Sequence, residues 1–391
     1  MLALRTNTKS GFTCCIGVGG IGAGILYELE GEHELGRNES RLGKLLDARD
    51  YCKLHIIEHY IARLMGCERA SDRFQVFPIG AVGDDGFGIQ ILNEMISVGM
   101  DTRFVRTHPS LKTLFSVCFT YPDGSGGNIT SSNSAAQSLT VDDLKAAAAC
   151  MKEAGPRGVA LCAPEVPLEM RRQFLELASE CGNYRISSFV LGEIQDAQRL
   201  GLFEMTDLLA LNQEEASALF ENGPGHVLDD ALLAERAAKF TQDHPHLRMI
   251  MSAGPKGAYG AESGCSQFCP APVLQSNSTA GAGDALLAGV VCALAAGIPF
   301  IMPNEKGNSF SRRVLRTALD LGVVNASFSV TSVHTIHPEA TLEKLFSFAE
   351  SRGASISNLI HDACYEREPT ASENDTMRIP AQARCIPDCR S

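Results

Sequence analysis

The chain contains no tryptophan, is only 6% aromatic, and has no stretch of eighteen consecutive apolar residues among its 391. That last absence excludes a membrane-spanning helix as an expectation. A secretory leader is not expected either. The apolar segment 11–26 follows Arg5 and Lys9 but is too rich in glycine, and no A-x-A site comes after it. Positive charge is scarce: 34 Lys and Arg against 46 Asp and Glu leave a net charge of −12. Such a field repels a nucleic-acid backbone, so the expected partner is a small molecule. The fourteen cysteines are scattered. The pair Cys14/Cys15 and the C-x3-C spacings Cys265/Cys269 and Cys385/Cys389 match neither a zinc knuckle nor a secreted disulfide framework. Reduced thiols in the cytoplasm are the expectation. No G-x-x-x-x-G-K-[ST] loop occurs, which removes the commonest route to a bound nucleoside triphosphate.

From about residue 157, short apolar runs alternate with helical periodicity. Strands are expected at 158–163, 186–191, 207–211 and 248–252, and helices at 168–181, 214–220 and 228–241. This βαβ rhythm predicts a parallel sheet covered by helices, with ligands at the carboxyl ends of the strands. Polar residues dominate 27–50, and the alternating run 114–121 stops at Asp123-Gly-Ser-Gly-Gly127. Segments of about 27–50 and 103–130 are therefore candidates for a small lid. Residues 351–391 lose periodicity and read as a mobile tail after a single domain over 1–350.

The segment richest in chemistry is Ser278-Thr-Ala-Gly-Ala-Gly-Asp284, which runs into the apolar stretch 285–296. Gly281 and Gly283 permit a tight turn, and the helix that follows begins with unpaired N–H groups, an anion site. A carboxylate there would repel phosphate if binding were its only purpose. Asp284 fits better as a base that takes a hydroxyl proton, while amides of Ala282, Gly283 and neighbours stabilise a transferring phosphoryl group. A plain N-cap is the competing reading.

The segment resembles the D-T-x-G-A-G-D signature of ribokinase-like (PfkB-type) carbohydrate kinases. Three more segments follow that family's order: Gly80-Ala-Val-Gly-Asp-Asp-Gly-Phe-Gly88 with Val98-Gly-Met-Asp101, Asn212-Gln-Glu-Glu215, and Ser252-Ala-Gly-Pro-Lys-Gly257. The resemblance covers roughly 75–340. It implies a ribokinase-like α/β fold, a mostly parallel sheet flanked by helices with a small lid, and phosphorylation of a sugar-like hydroxyl by ATP with Mg²⁺. It further implies Asp284, Gly281, Ala282 and Gly283 as catalytic groups, with Asn212, Ser252, Gly254, Gly257, Thr279 and Asn325 at the nucleotide. Asn212 and Glu215 would hold magnesium through water, although Asn-x-x-Glu also spells a capping box. Glu165, in Ala163-Pro-Glu-Val-Pro167, resembles a family segment that contacts the sugar. A homodimer is compatible with the resemblance.

The family's first motif, a Gly-Gly followed by Asn, is missing; Asp50-Tyr-Cys-Lys-Leu-His-Ile-Ile-Glu-His-Tyr60 stands in its place. Lys53 and His55, with Glu58, His59, Arg37, Asn38 and Arg41, would line or border that region, so an unusual or acidic acceptor, a sugar acid or sugar phosphate, joins plain sugars among the acceptors to consider. Nucleosides stay open as acceptors. Ser278 replaces an Asp of the signature, which puts dependence on a monovalent cation in doubt. The run 55–59 also spells the inverted zinc-peptidase motif H-x-x-E-H, but no second ligand helix is apparent. Two other functions compete. Gly17-x-Gly19-x-x-Gly22 suggests a dinucleotide-dependent oxidoreductase, yet a charged, strand-poor stretch follows it; its glycines are expected instead to let a substrate approach the first strand. A non-catalytic ligand-binding protein on the same fold is the other.

Overall fold

The computed structural model describes residues 2–8, 11–68, 73–123, 126–221, 227–303 and 309–366. Its centre is a nine-stranded sheet in the order Cys265–Pro270, Gly257–Glu262, Arg248–Ser252, Leu208–Asn212, Tyr184–Ser188, Gly158–Cys162, Cys14–Val18, Gln75–Gly83, Val105–His108. Strands from Arg248–Ser252 onward pair in parallel, and the first two close the edge antiparallel. Alternation along the central strands divides the core. Cys15, Val159, Leu161, Ile186, Leu208 and Ile250 face the helices Lys53–Met65, Ala282–Ala295 and Ala318–Ser329. Ile16, Val18, Ala160, Cys162, Leu209 and Met249 face those of Leu168–Cys181, Gln213–Phe220 and Asp230–Asp243. Each Ile or Leu fully removed from water on either face contributes about 1.5–3 kcal/mol before its entropy cost.

Helix Leu168–Cys181 has the predicted bounds. Pro167 precedes it, and Gly182 takes the left-handed conformation (φ 73°) that ends it. The strand expected at 186–191 lies earlier, at Tyr184–Ser188, where Arg185 pairs with Asp207 just before the neighbouring strand, while 191–193 turn into a 3₁₀ helix. A second sheet joins Gly22–Leu29 to Gly43–Leu45, Asp50–Tyr51 and Leu114–Thr120, with Gly126–Thr130 paired to the last of these. While Val105–His108 belongs to the central sheet, this second sheet draws strands from both segments from which a lid was expected. Its strands are half-exposed, which is why 27–50 shows no apolar run. The element Gly80–Gly88 supports this sheet: Asp85 caps helix Gly86–Ser97 through the Gly88 amide and also receives the Thr113 amide and hydroxyl.

The segment from 351, expected as a tail, carries strands as far as residue 366. Strand Ser355–Ile356 pairs with Val314–Leu315, and Cys364–Glu366 pairs with Leu2–Leu4. Strands of two or three residues have too short a pattern to read from sequence. Cys385, Cys389 and residues 124–125 of the expected turn lie outside the described residues.

Candidate active site

The carboxyl ends of the parallel strands border a cavity of about 780 Å³. Asn212 and Ser252 are the last residues of adjacent strands and both line it. After Ser252 the chain turns through Gly254 (φ 56°) and Gly257 (φ 134°). A Cβ at Gly257 would lie 2.1 Å from the Cys269 carbonyl oxygen, so the turn requires glycine. Thr279 and Gly281 to Asp284 line the other wall.

Gly281 (φ 77°) caps helix Ala282–Ala295, whose first i to i−4 bond runs from the Ala285 amide to the Gly281 carbonyl at 2.9 Å. The Ala282 amide donates to Thr279 O at 3.2 Å, which leaves Gly283 and Asp284 as the outward N–H groups of that first turn. A Cβ on Gly283 would meet nothing within 4 Å, so this side of the turn opens on free space. Asp284 is 7% exposed, and its Oδ1 lies 3.7 Å from Lys53 Nζ. Burial raises its pKa and the Lys53 ammonium pulls it back. Lys53 in turn is pushed up to about 12, chiefly by Asp284. It stays charged at neutral pH.

Asn212 and Glu215 form a reciprocal capping box: the Glu215 amide donates to Asn212 Oδ1 and the Asn212 amide to Glu215 Oε2, both at 2.8 Å. Glu215 still borders the cavity, and burial pushes its carboxyl up to about 7. Glu165 sits at the end of strand Gly158–Cys162 in a left-handed conformation (φ 75°). Its Oε2 accepts the Lys53 amide at 3.2 Å, and burial pushes it up to about 7 as well.

Several expected site residues lie elsewhere. His55 is fully buried, packs edge-on against Tyr51 and has neither ring nitrogen hydrogen-bonded; burial pushes it down to about 3. It is neutral and away from the cavity, so it offers no cation to an acceptor. The Glu58 carboxyl is buried beside Gly17, and His59 is likewise held neutral by burial. Arg41 pairs with Glu39 and Arg37 is exposed on the same segment, as is Asn38; none of the three lines the cavity. Asn325 is buried, donating to the Ala285 carbonyl at 2.7 Å, and so ties two helices together where nucleotide contact was expected. Among the described residues no three His, Cys, Asp or Glu side chains come together as a metal site. The glycines of 17–22 are followed by strand Gly22–Leu29 where a dinucleotide fold requires a helix. The Cβ positions of Gly17 and Gly19 are occupied by Glu58, and by Leu54 with Ala163, so these two glycines serve close packing of helix Lys53–Met65 on the strand.

Sequence reasoning missed Asp50, Cys52 and Cys118. Cys118 Sγ donates to Asp50 Oδ2 at 3.1 Å, and Cys52 is the residue preceding helix Lys53–Met65. The alternation of Gly20, Gly22 and Gly24 was the available signal.

The fold and the cavity define a ribokinase-like protein. Ribokinase from Cryptococcus neoformans var. grubii serotype A in complex with ADP superposes with a TM-score of 0.64 at 20% identity, covering 85% of this chain and 98% of that one. Arabidopsis thaliana ribokinase complexed with ribose and ATP gives 0.60 at 19% identity, covering 87% and 99%. A putative ribokinase II from E. coli gives 0.66 at 15% identity, covering 87% and 100%. No curated protein matches. The model of the pfkB family carbohydrate kinases matches residues 59–342, and the chain belongs to that family.

Proposed function

We propose that the protein transfers the γ-phosphoryl group of ATP to a hydroxyl of a sugar-like acceptor, with Asp284 as general base. The observation that carries this reading is a buried carboxylate on the first turn of a helix, beside the open N-terminal turn and 3.7 Å from one lysine ammonium. Burial makes Asp284 more basic than an ordinary aspartate, and the Lys53 ammonium favours its ionised form. The acceptor proton passes to the Asp284 carboxylate as the acceptor oxygen bonds to the γ-phosphorus. The bond from that phosphorus to the bridging oxygen breaks, and ADP leaves. The amides of Gly283 and Asp284 and the Lys53 ammonium hold the charge on the transferring group.

Glu215 has one oxygen engaged by its capping box and the other available, with Asn212 beside it. This pair fits a hydrated Mg²⁺ held through water, and the ion would neutralise phosphate charge. The apolar residues Val273, Leu274, Val323 and Val330 at the far wall suit a base, with the turn Gly254–Gly257 near the phosphates. The second sheet would act as the lid. No helix among the described residues is long and apolar enough to cross a membrane. The test is ADP formation from ATP over a panel of sugars, sugar phosphates, sugar acids, amino sugars and nucleosides. Acceptor-dependent turnover supports the reading. Nucleotide binding without turnover of any acceptor replaces it with a ligand-binding role.

A further inference from the structure

The side of Asp284 facing the second sheet is built by an alternation of glycines. A Cβ placed on Gly20 would fall 2.5 Å from Glu165 Oε2, on Gly22 2.8 Å from Cys52 Sγ, and on Gly24 2.2 Å from Asp50 Oδ2. Every second residue of one chain segment therefore lacks a side chain, and an acid, a thiol and an acid fill the spaces. Asp50 and Glu165 are both half-buried, and this side continues onto the second sheet. Gly24 pairs with Ser116 and Leu26 with Cys118, so Ser116 and Cys118 share one face with Asp50. The Ser116 and Thr130 hydroxyls bond to one another at 3.0 Å.

Charge on this side is unbalanced. Asp50 and Glu165 both interact electrostatically with Asp284, and Lys53 is the cation that acts on all three carboxyls. Its Nζ is already committed to Asp284. The neighbouring basic groups are engaged elsewhere or uncharged: Arg49 reaches Glu94, Arg41 reaches Glu39, and His55 is buried and neutral. Three carboxyls share one ammonium.

We propose that the acceptor side selects by charge: a hydroxyl compound bearing a protonated amine binds above its neutral analogue, and both bind above one bearing a phosphate or carboxylate. The location of the acceptor rests on the kinase reading, and the direction of selection reverses the acidic acceptor considered from Lys53 and His55 in the sequence. An incoming ammonium would meet Asp50 and Glu165 as acceptors, whereas an anion would be forced against them with Lys53 already paired to Asp284.

The test measures binding separately from chemistry. Dissociation constants are determined by NMR titration in the presence of a non-hydrolysable ATP analogue for glucosamine, glucose and glucose 6-phosphate, and for galactosamine, galactose and galacturonate. The expected order in each set is amine, neutral, anion, with about tenfold between the neutral and anionic members. In the Asp50→Asn/Glu165→Gln double variant that gap should close. An anion binding as tightly as its neutral analogue, an amine binding no better than neutral, a gap that persists in the double variant, or no binding in any class overturns the inference. ADP formation with ATP is followed in parallel. The predicted order without turnover leaves the charge filter standing and removes the kinase reading, whereas turnover with the order reversed does the opposite.

Discussion

Replacing Lys53 with Met isolates the interaction that sets the ionisation of Asp284. Burial holds this carboxyl above the usual aspartate value of 3.8, and Lys53 opposes that rise from 3.7 Å. Two unit charges at that distance attract by about 4 kcal/mol at an effective dielectric constant of about 20. The Lys53 side chain is 35% exposed, so solvent screens part of this, and about 2 kcal/mol is a reasonable remainder. Losing it moves the Asp284 pKa further up. A base must be ionised to act, so the acid limb of the kcat/KM profile should move to higher pH. The loss of activity should be larger at pH 6 than at pH 8.5. Lys53→Arg should keep the limb near its original place, because the cation is retained. The assay is initial-rate ADP formation across pH 5 to 9 with saturating magnesium. A uniform fall in rate with the limb unmoved would mean that Lys53 does not govern Asp284, and the electrostatic argument would fail.

Three further outcomes follow from the buried groups. Glu165 has a folded pKa of about 7 against 4.5 when unperturbed, so its penalty is absent below the lower value, grows between the two and is full above pH 7. Glu165→Gln should therefore stabilise the protein by up to about 3 kcal/mol at pH 8 and by little at pH 4.5; urea unfolding at the two pH values checks this, and equal effects at both would refute it. His55→Leu removes two unpartnered ring nitrogens from the core and should raise stability by about 1 kcal/mol without changing acceptor KM. A raised KM would place His55 at the substrate after all. Glu215→Gln should raise the magnesium concentration needed for half-maximal rate, whereas a drop in melting temperature with unchanged magnesium dependence assigns Glu215 to capping alone.

The parts of the molecule legible in the sequence are those in which local pattern and tertiary role coincide. Helix Leu168–Cys181 has a clear apolar stripe and a glycine stop, and the Thr279–Asp284 turn carries Gly281 where a positive φ demands it. The helix Lys53–Met65 misled for a physical reason. Its polar residues His55 and Glu58 look like a solvated or ligand-facing stripe, yet both are fully buried in the core without partners. Nothing in a polar side chain's identity announces that it will be buried unsatisfied. Asn325 was assigned from its surroundings in the motif, but its role is a hydrogen bond between helices that depends on the close approach of Gly289 to Gly322. The acid and thiol cluster was illegible because its members come from positions 20–24, 50–52, 118 and 165, which only the two sheets bring together.

The central claim is that Asp284 removes the acceptor proton, and Asp284→Asn tests it most directly. The amide preserves shape and burial but cannot take the proton, so with the best acceptor from the panel kcat should fall at least about 100-fold. ATP affinity, measured by calorimetry on the same preparation, should stay within about threefold of the wild-type value. A variant that keeps more than about a tenth of wild-type kcat contradicts the assignment of Asp284 as the base.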